Sequence, residues 1–377
     1  MKPIRMAVIG AGRLGGFHAQ KAAASKNIEL VAVVDPVAEN RNQVASECNT
    51  MPLHDIRPLD SLIDAAVIAS PTKYHHRLGM DLVERGVHLL VEKPLCATFA
   101  EADELVEAAN RQGVVLQVGH VEQFSPALAS ALPYVQEPKY IEAVRAGGFT
   151  FRSTDIGVVM DLMIHDIDLV LSMVKSPVRR VEAMGLSVLG GHEDVANARL
   201  HFQSGCVANL SASRVSPTAG RHMQIWSSRA YANIDFGALK TTVVEPSEAL
   251  LCRKFDVEKL TSEQVEYYKK NFQQEHLPQR ELQSDRVDAL TLQQGDFVDS
   301  IRAGRQPRVT GVQARDAIAL AEQILLKIQS HAWDEKSGGP VGPMAIPRKS
   351  VIPSPHWDNS HTGTAPVESP FERKEAG

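Results

Sequence analysis

Asp161 and His165 lie four residues apart in the stretch 157–169, so a helix would carry both on one face, with Asp168 about one turn further on. Most other positions there are apolar, which predicts a helix buried on nearly all sides. Carboxylates and an imidazole in such a helix need partners or a wet cavity, and a neutral imidazole facing a cavity can accept a proton. A satisfied core histidine with solvated acids is the alternative that the spacing alone allows. A second set, Glu92-Lys93-Pro94, closes a predicted strand over residues 87–91. An ammonium there could steady a developing oxyanion, and a plain surface ion pair would look the same in sequence.

The third set is a matter of shape. An apolar strand at 4–9 runs into Gly10-Ala11-Gly12-Arg13-Leu14-Gly15, and a second strand at 29–34 ends in Asp35. This is the dinucleotide-binding fingerprint with its acidic partner twenty residues after the third glycine. Gly10 permits the tight turn, Gly12 lets backbone approach a diphosphate, and Gly15 lets the next helix pack on the strand. The helix N-terminus then offers unpaired N–H groups to the anion. Asp35 would accept hydrogen bonds from the adenosine ribose and repel a 2′-phosphate, which favours NAD over NADP. Pro36 follows it where an arginine could clamp that phosphate, although Arg41 is close.

These sets need elements that bring them together. Over residues 2–121 short apolar runs alternate with helical stretches: strands at 4–9, 29–34, 65–69, 87–91 and 114–118, helices at 13–26, 37–46, 75–85 and 99–112. Such alternation predicts right-handed crossovers and a parallel doubly wound sheet, whose ligands gather at the carboxyl ends of the strands. Beyond 121 the runs 139–149, 178–189, 196–203, 206–215 and 222–246 read as strands of an antiparallel or mixed sheet, interrupted by one apolar helix at 157–174. A polar stretch at 254–285 reads as a surface insertion, and two helices follow at 283–303 and 312–331. The division expected is residues 1–122 for the nucleotide domain, 123–331 for a substrate-binding and oligomerisation domain of mixed helix and sheet, and 332–377 for a Pro/Gly/Ser-rich tail or arm.

At 377 residues, two domains are the default. A net charge of −5 without a dense basic run argues against nucleic acid or an anionic membrane as partner. The four cysteines are far apart with no C-x-x-C pair, so neither zinc nor a disulfide framework is expected. The first strand starts close to Met1, leaving no room for a signal peptide, and no stretch is long enough to span a bilayer. A cytoplasmic protein with no bound metal is the expectation.

In their order and separations, the fingerprint, Ala69-Ser70-Pro71 with His75, Glu92-Lys93-Pro94 and Asp161-x-x-x-His165 resemble the glucose–fructose oxidoreductase/inositol dehydrogenase (Gfo/Idh/MocA) family, and Asp296 to Pro307 looks like its C-terminal pattern. The likeness covers residues 3–330. It implies a Rossmann domain followed by a domain with a large open sheet, whose exposed face commonly joins subunits as a dimer or tetramer. It also implies Lys93, Asp161 and His165 as the catalytic set, with a cis turn preceding the Lys93–Pro94 bond near the nicotinamide. The implied cofactor contacts are Gly10, Gly12, Arg13, Leu14, Gly15 and Asp35, then Ser70, Pro71, His75, Glu92 and Lys93. The substrate implied is a small sugar or a nucleotide sugar. Hydride can leave a C–H(OH) carbon only as the hydroxyl proton departs. His165 can take that proton and Lys93 can stabilise the alkoxide, while Asp161 either orients His165 or holds a substrate hydroxyl.

One departure is Gln123, where many members carry an arginine nearby, which places substrate contacts at Gln123 and His120 in question; His120 binds substrate or is a linker histidine. The segments 119–126, 152–165, 191–200 and 206–214 are similar to a narrower branch, the UDP-N-acetylglucosamine 3-dehydrogenases. A diphosphate-linked sugar needs positive charge beside the pocket, and Arg152 and Arg214 are the candidates ahead of Arg145. Rival readings are an inositol, polyol or free-sugar dehydrogenase, an NAD-dependent glycosidase, and a catalytically silent NAD-binding regulator.

Overall fold

A computed structural model describes residues 2–151, 156–189, 191–284 and 287–331. Strand β1 (Ile4–Ile9) leads through the glycine turn into helix α1 (Arg13–Ala24), and β2 (Ile28–Val34) is followed by α2 (Ala38–Cys48). After them come β3 (Met51–Leu53), β4 (Ala65–Ile68), α3 (His75–Glu84), β5 (His88–Val91), α4 (Phe99–Gln112) and β6 (Leu116–Val118). All pairings are parallel and the strand order is β3-β2-β1-β4-β5-β6. That order reverses direction at β1, so the ends of β1 and β4 part to leave the crevice where a ligand sits. The strands β4 and β5 are buried almost throughout, as strands covered on both faces must be. β3 escapes the sequence pattern because it is three residues long, carries Pro52 and is largely exposed.

The second sheet is mixed. A short helix α5 (Pro126–Ala131) precedes β7 (Tyr140–Ala146), and α6 (Ile164–Val174) leads to β8 (Val178–Leu186), β9 (Val195–Phe202) and β10 (Val207–Ser213). The run read as strand over 222–246 is three strands, β11 (Gly220–Trp226), β12 (Tyr231–Asp235) and β13 (Lys240–Val244), split by tight turns. The polar stretch 254–285 is not merely an insertion. After α7 (Glu248–Leu251) it folds as α8 (Ser262–His276), opened by a capping box on Thr261 and Gln264, and β14 (Gln279–Gln283), an edge strand on β13. The order is β14-β13-β12-β11-β7-β10-β9-β8, antiparallel except where β7 lies parallel to β10. Alternation along β7 and β10 buries one face against the helices and leaves the other half-exposed.

The last two helices amend the expected division at residue 122. α9 (Ala289–Ala303) places Phe297 and Val298 in the core beneath β1, with Met6, Val8 and Ala19. α10 (Gly311–Ser330) packs on both α4 and α6. Val118 donates its N–H to the Val309 carbonyl at 3.1 Å, extending the parallel sheet's edge with a segment from the far end of the chain. The C-terminal helices therefore stitch the two sheets' layers together.

Candidate active site

The crevice at the head of β1 and β4 is shaped by absent side chains. Gly10 sits at φ +99°, and a Cβ there would lie 2.7 Å from the backbone of Ala69 and Ser70. A Cβ on Gly15 would stand 1.7 Å from the Gly10 carbonyl oxygen, so α1 can approach β1 only with glycine at this position. Gly12 differs: a Cβ there meets nothing within 4 Å, and the space belongs to the cleft. The cleft holds about 990 Å³ and is lined by Gly10, Gly12, Arg13, Leu14, Asp35, Ser70 and Pro71, with α1 opening toward it. Asp35 accepts the N–H of Ala11 at 2.7 Å on one oxygen and that of Val37 at 2.8 Å on the other. Its remaining lone pairs lie at the cleft edge, positioned for a ribose diol. Arg41 donates to the carbonyls of Asp35 (3.3 Å) and Pro36 (3.1 Å), which commits it to the turn. An open backbone cradle, a helix N-terminus and an acidic rim together fit a dinucleotide.

Two expected cofactor contacts lie behind this cleft. His75 is buried, with Nε2 2.7 Å from the Ser70 carbonyl and Nδ1 3.0 Å from that of Pro94. Burial lowers its pKa, and the neutral ring, with a single N–H, donates to one of these carbonyls and only abuts the other, wedged between the segments that follow β4 and β5. Glu92 is also buried and meets His18 Nε2 at 2.8 Å. Gln294 of α9 donates to His18 Nδ1 at 3.0 Å, so a neutral His18 carries its proton on Nε2 and donates it to Glu92. His18 and Gln294 were not singled out from sequence. A histidine one turn past Gly15 on an Ala-rich helix was a usable signal, whereas nothing local marks Gln294.

Beyond Glu92 the Lys93–Pro94 peptide is itself cis, where the resemblance implies a cis turn just before it, and Lys93 enters a second pocket of about 430 Å³. Lys93 Nζ donates to Asp161 twice, to the carboxylate at 3.0 Å and to the backbone carbonyl at 2.6 Å. The helix read over 157–174 opens with a wide π-type turn, Val159–Met163, ahead of α6. Such turns recur at functional sites. The Asp161 carboxylate pairs with the ammonium and makes no hydrogen bond to His165. His165 is half-buried on the same pocket wall, with Nδ1 sealed and unpartnered among the described residues. Burial, then the charges of Lys93, Arg145 and Arg221 with His120 among them, holds its pKa well below 6.5, so the ring is neutral at pH 7.

The expected substrate contacts divide. Asp161, His165 and Arg214 line the pocket. His120 lies fully buried behind it, edge-on to His165 at 6.1 Å between ring centres, with neither nitrogen partnered among the described residues. Gln123 turns away and donates to Asp168 at 2.8 Å. Arg152 lies outside the described residues. Arg214 is committed: Nε meets Asp194 at 2.6 Å and a terminal nitrogen donates to the Ile156 carbonyl at 2.7 Å. Burial pushes the Asp194 carboxyl up, but the N–H groups of Leu189 and Val188 together with Arg214 outweigh it and hold the pKa low. Arg145 is equally occupied, by Asp166 (3.0 Å) and Glu122 (2.9 Å). Next to the Arg214 pair, Glu193 accepts the Val159 N–H at 3.0 Å, and its own carbonyl accepts that of Val158. Glu193, Asp194 and Arg214 thus clamp the start of the helical segment bearing Asp161 and His165. No group of three His, Cys, Asp or Glu residues is placed to hold a metal among the described residues, nor is any helix there long and apolar enough to cross a membrane.

Comparison with known proteins adds to this geometry. Residues 4–120 match the oxidoreductase family model with an NAD-binding Rossmann fold, and residues 136–233 match the GFO/IDH/MocA C-terminal domain. The UDP-N-acetylglucosamine 3-dehydrogenase of Acidithiobacillus ferrooxidans is 32% identical over 332 residues, covering 87% of this chain and 98% of that protein. Its solved structure superposes with a TM-score of 0.75 over the same shares. The NAD(+)-dependent scyllo-inositol 2-dehydrogenase of Bacillus subtilis is 30% identical over 234 residues, 57% of this chain and 68% of that one. Levoglucosan dehydrogenase in complex with NADH shares the fold at a TM-score of 0.74 and 15% identity, over 87% of this chain and 97% of that one.

Proposed function

Because the chain belongs to the GFO/IDH/MocA family of NAD-dependent oxidoreductases, we propose that it oxidises a ring hydroxyl of a nucleotide-linked sugar, the C3 hydroxyl of UDP-N-acetylglucosamine first among them. The observation that carries this reading is the meeting of Lys93, Asp161 and His165 in one pocket at the nicotinamide end expected of the cleft. NAD, when bound, supplies the hydride acceptor. Neutral His165 takes the hydroxyl proton as the carbonyl forms. A positioned base of this kind contributes on the order of 10²–10⁴-fold. Lys93, held by both oxygens of Asp161 that face it, keeps its ammonium aimed at the oxygen on which charge develops. Asp161 is thereby a positioning residue for Lys93.

The test is NADH formation by the purified chain with NAD and UDP-N-acetylglucosamine, coupled to an aminotransferase and glutamate to remove the ketone. Oxidation of the nucleotide sugar ahead of free N-acetylglucosamine and inositol is expected. Brisk oxidation of a free polyol with none of the UDP-sugar would favour the inositol dehydrogenase reading that the scyllo-inositol relative supports. Cleavage of a nitrophenyl glycoside without net NADH would favour the glycosidase. A cytoplasmic homo-oligomer belongs to the same proposal. On the half-exposed face of the second sheet, Tyr140, Trp226 and Tyr231 stack at 5.0 and 4.8 Å, an aromatic row suited to a second copy. Light scattering that returns a monomer at micromolar concentration would remove that part.

A further inference from the structure

Among the described residues four cations line the pocket around His165, and three are held in close pairs. Lys93 is tied to Asp161, Arg145 to Asp166 and Glu122, and Arg214 to Asp194 and the Ile156 carbonyl. Arg221 is different. Its side chain is 53% exposed, and among the described residues it pairs only with Glu122 Oε1, at 3.8 Å. That oxygen already accepts a hydrogen bond from Arg145 at 2.9 Å, so Glu122 keeps a counter-charge if Arg221 turns to a ligand.

The strand sets where Arg221 points. Along β11, Met223 and Ile225 are buried on the helix-covered face, and the same parity carries Arg221 to that face at the strand's open end. There it joins Lys93, Asp161 and His165 in the pocket lining. Gly147 and Gly148 line the pocket as well, and a Cβ on either would meet nothing within 4 Å, which leaves the backbone open to a ligand's approach. Arg221 and Ala146 also border a second hollow of about 690 Å³ with Ser216, Thr218 and His222, so the rim at Arg221 leads out of the pocket.

We infer that Arg221 is the anchor for the diphosphate of a nucleotide-linked substrate, holding it at the pocket rim while the sugar ring faces Lys93 and His165. The planar guanidinium fork matches two phosphate oxygens, and a half-exposed, weakly paired arginine gives up little on engaging them. This rests on the nucleotide-sugar reading above and adds the residue that distinguishes such a substrate from a free sugar. It also moves the expected positive charge from Arg214 to a strand whose alternation had carried the signal: a charged residue in step with buried Met223 and Ile225.

The experiment measures UDP binding to the full chain loaded with NAD, by titration calorimetry, for the wild type, Arg221→Met and Arg221→Lys. Filling the cofactor cleft keeps UDP from binding there. Arg221→Met is expected to weaken UDP by roughly tenfold to a hundredfold, as loss of a charge-assisted pair does, with Arg221→Lys between. Uridine, which lacks phosphate, should bind all three alike, and KM for UDP-N-acetylglucosamine should rise by more than kcat falls. Equal UDP affinity in wild type and Arg221→Met, or no UDP binding to the wild type, overturns the inference. The two proposals separate cleanly. Arg221-dependent UDP binding without NADH from UDP-N-acetylglucosamine leaves the anchor and removes the C3 oxidation. NADH formation indifferent to Arg221 does the reverse.

Discussion

In the cleft at the head of β1, recognition is a property of backbone shape. Gly10 and Gly15 leave no room for a single carbon, and Gly12 leaves room only for a ligand. In the pocket around His165 the walls are made of charge: Lys93, Arg145, Arg214 and Arg221 against Asp161, Glu122, Asp166 and Asp194. A site defined by shape tolerates no gradation, because a clash with backbone cannot be shared out among neighbours. One defined by charge can be retuned a residue at a time, since each pair has its own strength and the pocket persists when one is altered. One fold can on these grounds keep its cofactor while changing its substrate.

The sharpest way to break the contrast is in the cleft. Gly15→Val puts a branched side chain where even a Cβ lies 1.7 Å from the Gly10 oxygen, and complete loss of NAD binding, measured by fluorescence titration, is expected with or without loss of folding. Retained NAD affinity would show that α1 can retreat and that shape is not the rule there. In the pocket, His165→Ala and Lys93→Met should each lower kcat by at least about a hundredfold while leaving NAD affinity nearly unchanged, because both act on charge that moves only in the transition state. Near-normal turnover in either variant would reject the assignment.

The same contrast explains what could be read from the chain. The cleft was legible because its determinants are local: strand, glycine turn, helix and Asp35 fall within residues 4–35 and fix one another's geometry. So was the helical pairing of Asp161 with His165. What that spacing could not say is that Asp161 answers to Lys93, 68 residues away. The role of Arg214 was out of reach for the same reason. An arginine reads as available charge until the fold sets Asp194 against it, and that pairing depends on β9 and β10 lying side by side. That Glu92 would be buried behind the cleft was not legible either, since four-residue strands with both faces buried give no alternation to read.

Arg214 next tests whether a pocket cation serves substrate or scaffold. Asp194 has no exposed side-chain surface, and Arg214→Met would leave it with only the N–H groups of Val188 and Leu189. A loss of roughly 3 kcal/mol in urea unfolding is expected, the low end for a broken buried pair because those two donors remain. KM for substrate should move little at temperatures where the variant is folded; a large KM effect with unchanged stability would return Arg214 to the ligand. A smaller change is expected for Asp35→Ser, which removes one negative charge from the cleft edge and should narrow the preference of kcat/KM for NAD over NADP by roughly tenfold. If the ratio stays where it is, the acidic rim is not what selects the cofactor, and Arg41, engaged with the carbonyls of Asp35 and Pro36, becomes the residue to change.

The finest test is the acid limb of the pH profile. As the proposed base, His165 acts in its neutral form, so activity is expected to fall as pH drops through its pKa. Burial first, and then the positive charges of Lys93, Arg145 and Arg221, set that pKa well below 6.5, so kcat/KM for oxidation should be flat near pH 7 and decline only in more acidic buffer. Removing a cation makes the ring easier to protonate, which raises the pKa and moves the limb toward neutral pH. Lys93 is unsuited to this because its loss is itself expected to lower kcat steeply, and Arg145 is unsuited because Asp166 and Glu122 would be left buried without it. Arg221→Met is the usable probe. Since burial is the largest cause and remains in place, and Arg221 is the weakest of the charges, the shift should be upward and modest. A limb that stays put would mean that the Arg221 charge is screened from His165 by solvent, and one that moves to lower pH would contradict the placement of that charge in the pocket.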